Sequence, residues 1–164
     1  IEAWALVAQK HPDWHLDIYG EGDLRNALQN QIERLRLNKT IKLCGRVRNI
    51  EEKYPQYSFY VMSSRAEGFG LVLLEAASCG LPLIAFDCPS GPKEIIQDGK
   101  NGYLVQQVGD IEELAKAIDK LIEHSELRKQ MGKKALEMVE KSFSLEVIKQ
   151  QWIDLINQFE NTKN

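Results

Sequence analysis

The apolar positions of this chain switch between two periods along its length. Residues 1–10 place Ile1, Trp4, Ala5 and Ala8 on one helical face, and Trp14 to Tyr19 then reads as a short strand stopped by Gly20-Glu21-Gly22. Leu24, Leu28, Ile32 and Leu35 recur at helical spacing across 23–36. A strand from Ile41 to Cys44 ends at Gly45, and a short helix over 49–54 precedes Pro55. Next come a strand from Ser58 to Met62, a turn at Glu67-Gly68-Phe69-Gly70, a helix over 71–79 and a strand from Leu83 to Phe86. A helical turn at 93–98 leads through two glycine turns into a last strand, 103–105, and three helices over 111–123, 126–141 and 145–160 close the chain. Strands alternating with helices predict βαβ units, an α/β fold with a parallel sheet, helices on both faces and a helical C-terminus. Asp110, with Glu113 three residues on, is an expected N-cap, as are Ser125 and Ser144. The stripe Leu145, Ile148, Trp152, Leu155 and Phe159 is expected to pack on the same domain, with a partner surface as the alternative.

At 164 residues, 43% hydrophobic and 27% charged, the chain is one globular domain with room for a real core. It holds no apolar run long enough for a membrane-spanning helix. A net charge of −3 and a pI of about 5.7 argue against bulk nucleic-acid binding. Ile1-Glu2-Ala3-Trp4 lacks the basic region and cleavage site of a signal peptide. Cys44, Cys79 and Cys88 are scattered in apolar runs, without a C-x-x-C, and are expected to be buried reduced thiols of a cytoplasmic protein. Pro12 and Asp13 interrupt the His11 and His15 pair, so no metal-ligand set is expected.

In an open parallel sheet, ligands bind beyond the carboxyl ends of the strands. Segments 20–22, 45–48, 63–70 and 87–92 all follow strands, and together they hold six of the eleven glycines. The richest is Ser63-Ser64-Arg65-Ala66-Glu67-Gly68-Phe69-Gly70, which ends where helix 71–79 begins. The free N–H groups and dipole of that helix end suit a phosphate, although the same residues also make an ordinary tight turn. Glu75 is the sole acid inside an otherwise apolar helix, Leu71 to Cys79, which is expected to be buried. A buried carboxylate needs donors, and these are either ligand hydroxyls at the rim or internal partners. Glu67, just ahead of the helix, would face the same cleft. Arg34, Arg36, Lys39, Lys42, Arg46 and Arg48 form a local +6 stretch with no acid between. Such a stretch is a solvated face, a contact for an anionic nucleotide at Arg46 and Arg48, or a weak attraction to an anionic membrane.

Absent motifs narrow the chemistry. There is no G-x-x-x-x-G-K-[ST] and no G-x-S-x-G. The turn at Gly20-Glu21-Gly22 lacks the third glycine of a nicotinamide-dinucleotide fingerprint, which disfavours a dehydrogenase. No Asp-x-Asp pair is present to hold a diphosphate through a metal, so helix-end amides and cations would have to do that work.

These residues resemble the family 4 (group 1) retaining glycosyltransferases. Glu67-Gly68-Phe69-Gly70 with Glu75 matches that family's E-x7-E motif. Gly20-Glu21-Gly22 resembles its G-x-G turn, Gly45-Arg46-Val47 its G-x-V turn, and Gly80-Leu81-Pro82-Leu83-Ile84-Ala85 its G-x-P-V-[IV]-A strand. Gly91-Pro92-Lys93-Glu94-Ile95-Ile96 followed by Asp98-Gly99 and Asn101-Gly102-Tyr103-Leu104-Val105 resembles its G-x-x-E-[IV]-I-x-D-G-x-N-G-x-L-V run. The variant around Asp87 to Glu94 is most similar to bacterial members that build surface polysaccharides.

The resemblance implies the Rossmann-like, carboxyl-terminal, donor-binding half of a GT-B fold. In it Glu67 would contact the donor sugar, the amides near Gly68, Phe69, Gly70 and Leu71 would hold the diphosphate, and Glu75 would bond the ribose. Arg46 and Val47 would lie beside the base, and Lys93 would approach the sugar or phosphate. The co-substrate would be a nucleotide diphosphate sugar, expected to be a UDP-sugar, with no metal required. The implied reaction transfers a hexose with retention to an acceptor hydroxyl, in surface polysaccharide or lipopolysaccharide synthesis at the inner face of the cell membrane. A non-catalytic nucleotide-sugar binding module is the alternative. The acceptor, a saccharide or lipid-linked saccharide, would be held by an amino-terminal domain outside this chain. The family's first strand and its G-R-x-x-x-x-K-G loop are likewise outside it, which would leave an unpaired sheet edge.

Overall fold

A computed structural model describes residues 1–161. Helix α1 (Glu2–Lys10) leads to β1 (Leu16–Tyr19), α2 (Arg25–Arg34) and β2 (Ile41–Gly45). Two short 3-10 turns (Ile50–Glu52 and Tyr54–Gln56) precede β3 (Tyr60–Met62), α3 (Leu71–Ser78), β4 (Leu83–Phe86), α4 (Pro92–Ile95) and β5 (Gly102–Val105). Helices α5 (Ile111–Glu123), α6 (Ser125–Ser142) and α7 (Leu145–Asn161) complete the fold. Every strand pairing is parallel. The expected α/β architecture is therefore present.

The sheet is in two pieces, β1-β2 and β3-β4-β5. Strand β4 shows why helices cover both faces. Its successive side chains point to opposite sides: Ile84 and Phe86 join a layer with Trp4, Val7, Ile32, Leu114, Ile118 and Leu121, while Leu83 and Ala85 join Leu73, Ala76, Ile95 and Ala135. All four residues of β4 are buried. Those of β1 are only half-buried, because a cavity of about 680 Å³ lies against it. Leu16, Ile18, Tyr60 and Val61 line that cavity, with Trp4 of α1 and Leu114 and Ile118 of α5. It separates the two half-sheets.

Several details differ from the sequence-based expectation. Strand β3 begins at Tyr60 rather than Ser58. Asp110 caps α5 by accepting from the Glu113 N–H at 3.0 Å, and Ser144 Oγ accepts from the Val147 N–H at 3.4 Å, but α6 starts after His124 with no side-chain cap, and Ser125 is already helical. Most of the apolar stripe of α7 is exposed: Leu145 is 78% exposed, Trp152 62% and Leu155 42%, while Ile148 is half-buried. Periodicity shows that a face is apolar, not what covers it. Cys88 alone is buried; Cys44 and Cys79 are half-buried, and all three are free thiols. The basic residues from Arg34 to Arg48 are all exposed. Among the described residues, no helix is long and apolar enough to cross a membrane.

Asp98 and Asn101 hold the turn before β5. Asn101, 1% exposed, donates to the Ile95 carbonyl at 2.9 Å and accepts from the Gln97 N–H at 2.8 Å, and Asp98 accepts from the Leu104 N–H at 2.9 Å. Both polar motif residues are consumed by backbone groups, so that motif builds the fold rather than the site.

Candidate functional site

Strand β3 delivers the chain into loop 63–70 at its carboxyl end, and Gly70 turns it into α3. Gly70 has φ +84, a left-handed conformation that glycine adopts without strain, and as N-cap it has no side chain to cover the first-turn N–H groups. Leu71 is 65% exposed there. Leu73, Ala76 and Ala77 bury the opposite face of α3 and fix the helix against the core. Loop 87–91 packs directly behind. A Cβ on Gly91 would lie 2.0 Å from the Phe69 carbonyl oxygen, so only glycine permits this backbone contact. Gly91 also opens α4, placing Lys93 in the first turn of that helix, exposed.

Glu75 departs from expectation. The apolar run around it predicts a buried acid, yet Glu75 is exposed, because its side of α3 borders the cavity instead of packed protein. Part of the predicted need for donors is still met: the Tyr54 hydroxyl donates to Glu75 Oε2 at 3.0 Å. No protein donor among the described residues reaches the other oxygen. Glu67 is half-buried. Both acids act on Tyr60. Burial, then the negative charges of Glu75 and Glu67, push its hydroxyl up to about 12; Glu75 lines the cavity and Glu67 does not. Burial and then the Glu75 carboxylate likewise push Tyr54 well above the ordinary tyrosine value, and burial and Asp17 do the same to Tyr57, which donates to Asp17 Oδ2 at 2.7 Å.

This cluster carries a linkage prediction. A folded-state tyrosine value of about 12 for Tyr60, against an ordinary 10, means the folded chain keeps a proton that the unfolded chain loses. The corresponding stability is complete below about pH 10 and is lost as the pH rises toward 12. In a spectrophotometric titration at about pH 11, Tyr54, Tyr57 and Tyr60 are expected to stay un-ionised while the fold persists, and to ionise on addition of denaturant. Full ionisation of all five tyrosines in the folded chain at that pH would contradict this arrangement.

Arg46 and Val47 lie on the other half-sheet, beyond β1. Their turn follows Gly45, whose carbonyl accepts from the Gly20 N–H at 2.9 Å, so the first two glycine turns form one unit. Arg46 is exposed and Val47 half-buried, and neither lines the cavity. Among the described residues, Arg46, Arg48 and Lys93 form no ion pair. The structure thus groups Glu67, Gly68, Phe69, Gly70, Leu71 and Glu75 on one strand–helix unit, sets Lys93 behind it, and leaves Arg46 and Val47 apart across β1. Sequence reasoning missed Tyr54 and Tyr60. The available signal was density: three of the five tyrosines fall within 54–60.

Comparison with known proteins bears on this arrangement. A poly(ribitol-phosphate) α-N-acetylglucosaminyltransferase of Staphylococcus aureus is 32% identical over 157 residues, 96% of this chain and 32% of its own length. The crystal structure of TarM from S. aureus with UDP, fondaparinux and α-GlcNAc-glycerol superposes with a TM-score of 0.89 at 32% identity, over 95% of this chain and 31% of that one. The C-terminal domain of the group 1 glycosyl transferase LpcC from Francisella tularensis superposes with a TM-score of 0.77 at 29% identity, over 88% of this chain and 77% of that one. The chain spans less than half the length of the curated relatives it matches. Its fold is that of the carboxyl-terminal, Rossmann-like half of GT-B enzymes. The sequence profile of the glycosyl transferases group 1 matches residues 1–138, a span holding the paired acids, the glycine turns and the Asp98–Asn101 turn, and the chain belongs to that family.

Proposed function

We propose that this chain is the donor-binding domain of a retaining hexosyltransferase that uses a UDP-sugar in bacterial surface-polysaccharide synthesis, lipopolysaccharide included. The observation that carries the reading is the placement of Glu67 and Glu75 on either side of the exposed first turn of α3, at the carboxyl ends of the strands. The amides of Gly68, Phe69, Gly70 and Leu71 hold the diphosphate, where the helix dipole favours negative charge. Glu75 accepts from the ribose hydroxyls and Glu67 from hydroxyls of the donor sugar. Lys93 approaches the diphosphate from behind the loop, and Arg46 and Val47 flank the base. As the glycosidic bond breaks, these donors and cations take up the charge that develops on the departing diphosphate. No metal is needed in this reading, since cations and helix-end amides supply the neutralisation.

The same reading makes the chain one part of a larger enzyme, with the saccharide or lipid-linked acceptor held by an amino-terminal domain, in the cytoplasm at the membrane's inner face. Three free thiols support a reducing compartment. The reading also adds a strand ahead of α1. Among the described residues, strand β1 pairs only with β2 and β3 only with β4, and both border the cavity. A strand, a helix and a parallel strand connect right-handedly with the two strands in one sheet, so a strand preceding α1 belongs beside β1. Ile1 lines the cavity. The buried indole N–H of Trp4 has no acceptor among the described residues.

Calorimetric titration with UDP tests the site. Glu75→Gln keeps the shape and removes the charge. It is expected to weaken UDP binding about 10- to 50-fold, as lost charge-assisted hydrogen bonds do, while the melting temperature changes little because the residue is exposed. EDTA is expected to leave the wild-type affinity unchanged. An unaltered UDP affinity in the variant would overturn the assignment of Glu75.

A further inference from the structure

We infer that Tyr54 is a positioning residue for the nucleotide site, a buried clamp that holds the Glu75 carboxylate in the orientation that receives the ribose. The inference rests on the proposed role of Glu75 and adds a residue to it. Tyr54 is 5% exposed, in the 3-10 turn between β2 and β3, with its ring edge-on to Tyr60 at 5.9 Å between centroids. Its hydroxyl has one hydrogen-bond partner among the described residues, Glu75 Oε2 at 3.0 Å. A buried phenol left without an acceptor is costly, so the bond is kept.

Glu75 stands in the opposite situation. Its backbone is fixed by the buried face of α3, but its side chain is exposed and would otherwise sample several rotamers. An exposed glutamate ordinarily stays mobile in water. This one lines the cavity and is tied at one oxygen by a donor from the core, and its other oxygen has no protein hydrogen-bond partner among the described residues. A carboxylate held at one oxygen keeps acceptor capacity for two neighbouring hydroxyls, and a ribose cis-diol presents two. Holding the acid in place before binding removes the ordering cost that the ligand would otherwise bear.

The test compares UDP with 2′,3′-dideoxyuridine 5′-diphosphate, which lacks both ribose hydroxyls, by calorimetry on the full 164-residue chain. Tyr54→Phe keeps the ring against Tyr60 and deletes only the hydroxyl. It is expected to weaken UDP about fivefold and the dideoxy analogue less than twofold, and to have no further effect on UDP when combined with Glu75→Gln. Equal losses for the two nucleotides mark a merely structural tyrosine and overturn the clamp. So does no loss at all, or an undiminished loss in the Glu75→Gln background. If Glu75→Gln alone leaves UDP affinity unchanged, the ribose role of Glu75 falls, and the clamp with it. If Glu75→Gln weakens UDP and Tyr54→Phe behaves in any of those three ways, the clamp alone falls.

Discussion

A chain extended ahead of Ile1 by a five-residue apolar strand and a short polar connection is expected to melt roughly 10 °C above the chain described here. The cavity of about 680 Å³ between β1 and β3 has room for a strand, and both neighbours offer unpaired backbone groups. Burying three large apolar side chains contributes about 6 kcal/mol, and about eight new ladder hydrogen bonds about 1 kcal/mol each. Ordering five residues with their side chains costs about 10 kcal/mol, which leaves a net gain of about 4 kcal/mol. Differential scanning calorimetry on the two chains measures it. A control extension with the strand replaced by glycine and serine should give no gain. Equal melting temperatures for the apolar and the control extensions would show that the cavity does not receive a strand.

Gly91→Ala is expected to be the most damaging single change near the site. The new Cβ would sit 2.0 Å from the Phe69 carbonyl oxygen and 2.4 Å from its carbon, and φ at this position is +94. Both atoms belong to backbone, so no side-chain rotation relieves the contact. Left-handed strain costs about 1–2 kcal/mol and the forced shift of loop 63–70 adds to it, for a loss on the order of 3 kcal/mol in denaturant titration. Because the displaced atoms lead into the first turn of α3, UDP affinity should fall more than tenfold as well. Gly22→Ala, which meets nothing within 4 Å, should leave stability nearly unchanged. A well-folded Gly91→Ala chain with full UDP affinity would refute the coupling between the two loops.

How much of this was legible in the residues depended on whether the cause was local. Strand β4 and helix α5 follow from periodicity and from Asp110 as a cap, and both stand where expected. No pattern inside β1 or β3 reports the division of the sheet; only the resemblance, which puts the family's first strand outside this chain and leaves an unpaired edge, pointed toward it. Glu75 misled for a related reason. Leu71 and Val72 make its helix apolar nearly all round, yet they are 65% and 37% exposed, since an apolar face beside a cleft reads like an apolar face in a core. The α7 stripe failed in the same way. Tyr54 escaped notice because its partner lies 21 residues away, and only the folded chain brings them to 3.0 Å. The Asp98 and Asn101 signature was found by resemblance, but its physical work, holding one turn, appears only in the hydrogen bonds.

The division of the sheet has a mechanical consequence. Among the described residues the two half-sheets share no ladder, and they are joined through the side chains of α1 and α5, the Trp14–Phe59 ring stack and the hydrogen bond from Tyr57 to Asp17. In the proposed pose the base rests on one half, near Val47, and the diphosphate on the other, at α3. In this chain, without the strand proposed ahead of α1, a bound nucleotide would then act as a cross-brace between two plates coupled by apolar packing and the Tyr57–Asp17 hydrogen bond, and its affinity would include the work of stilling their relative motion.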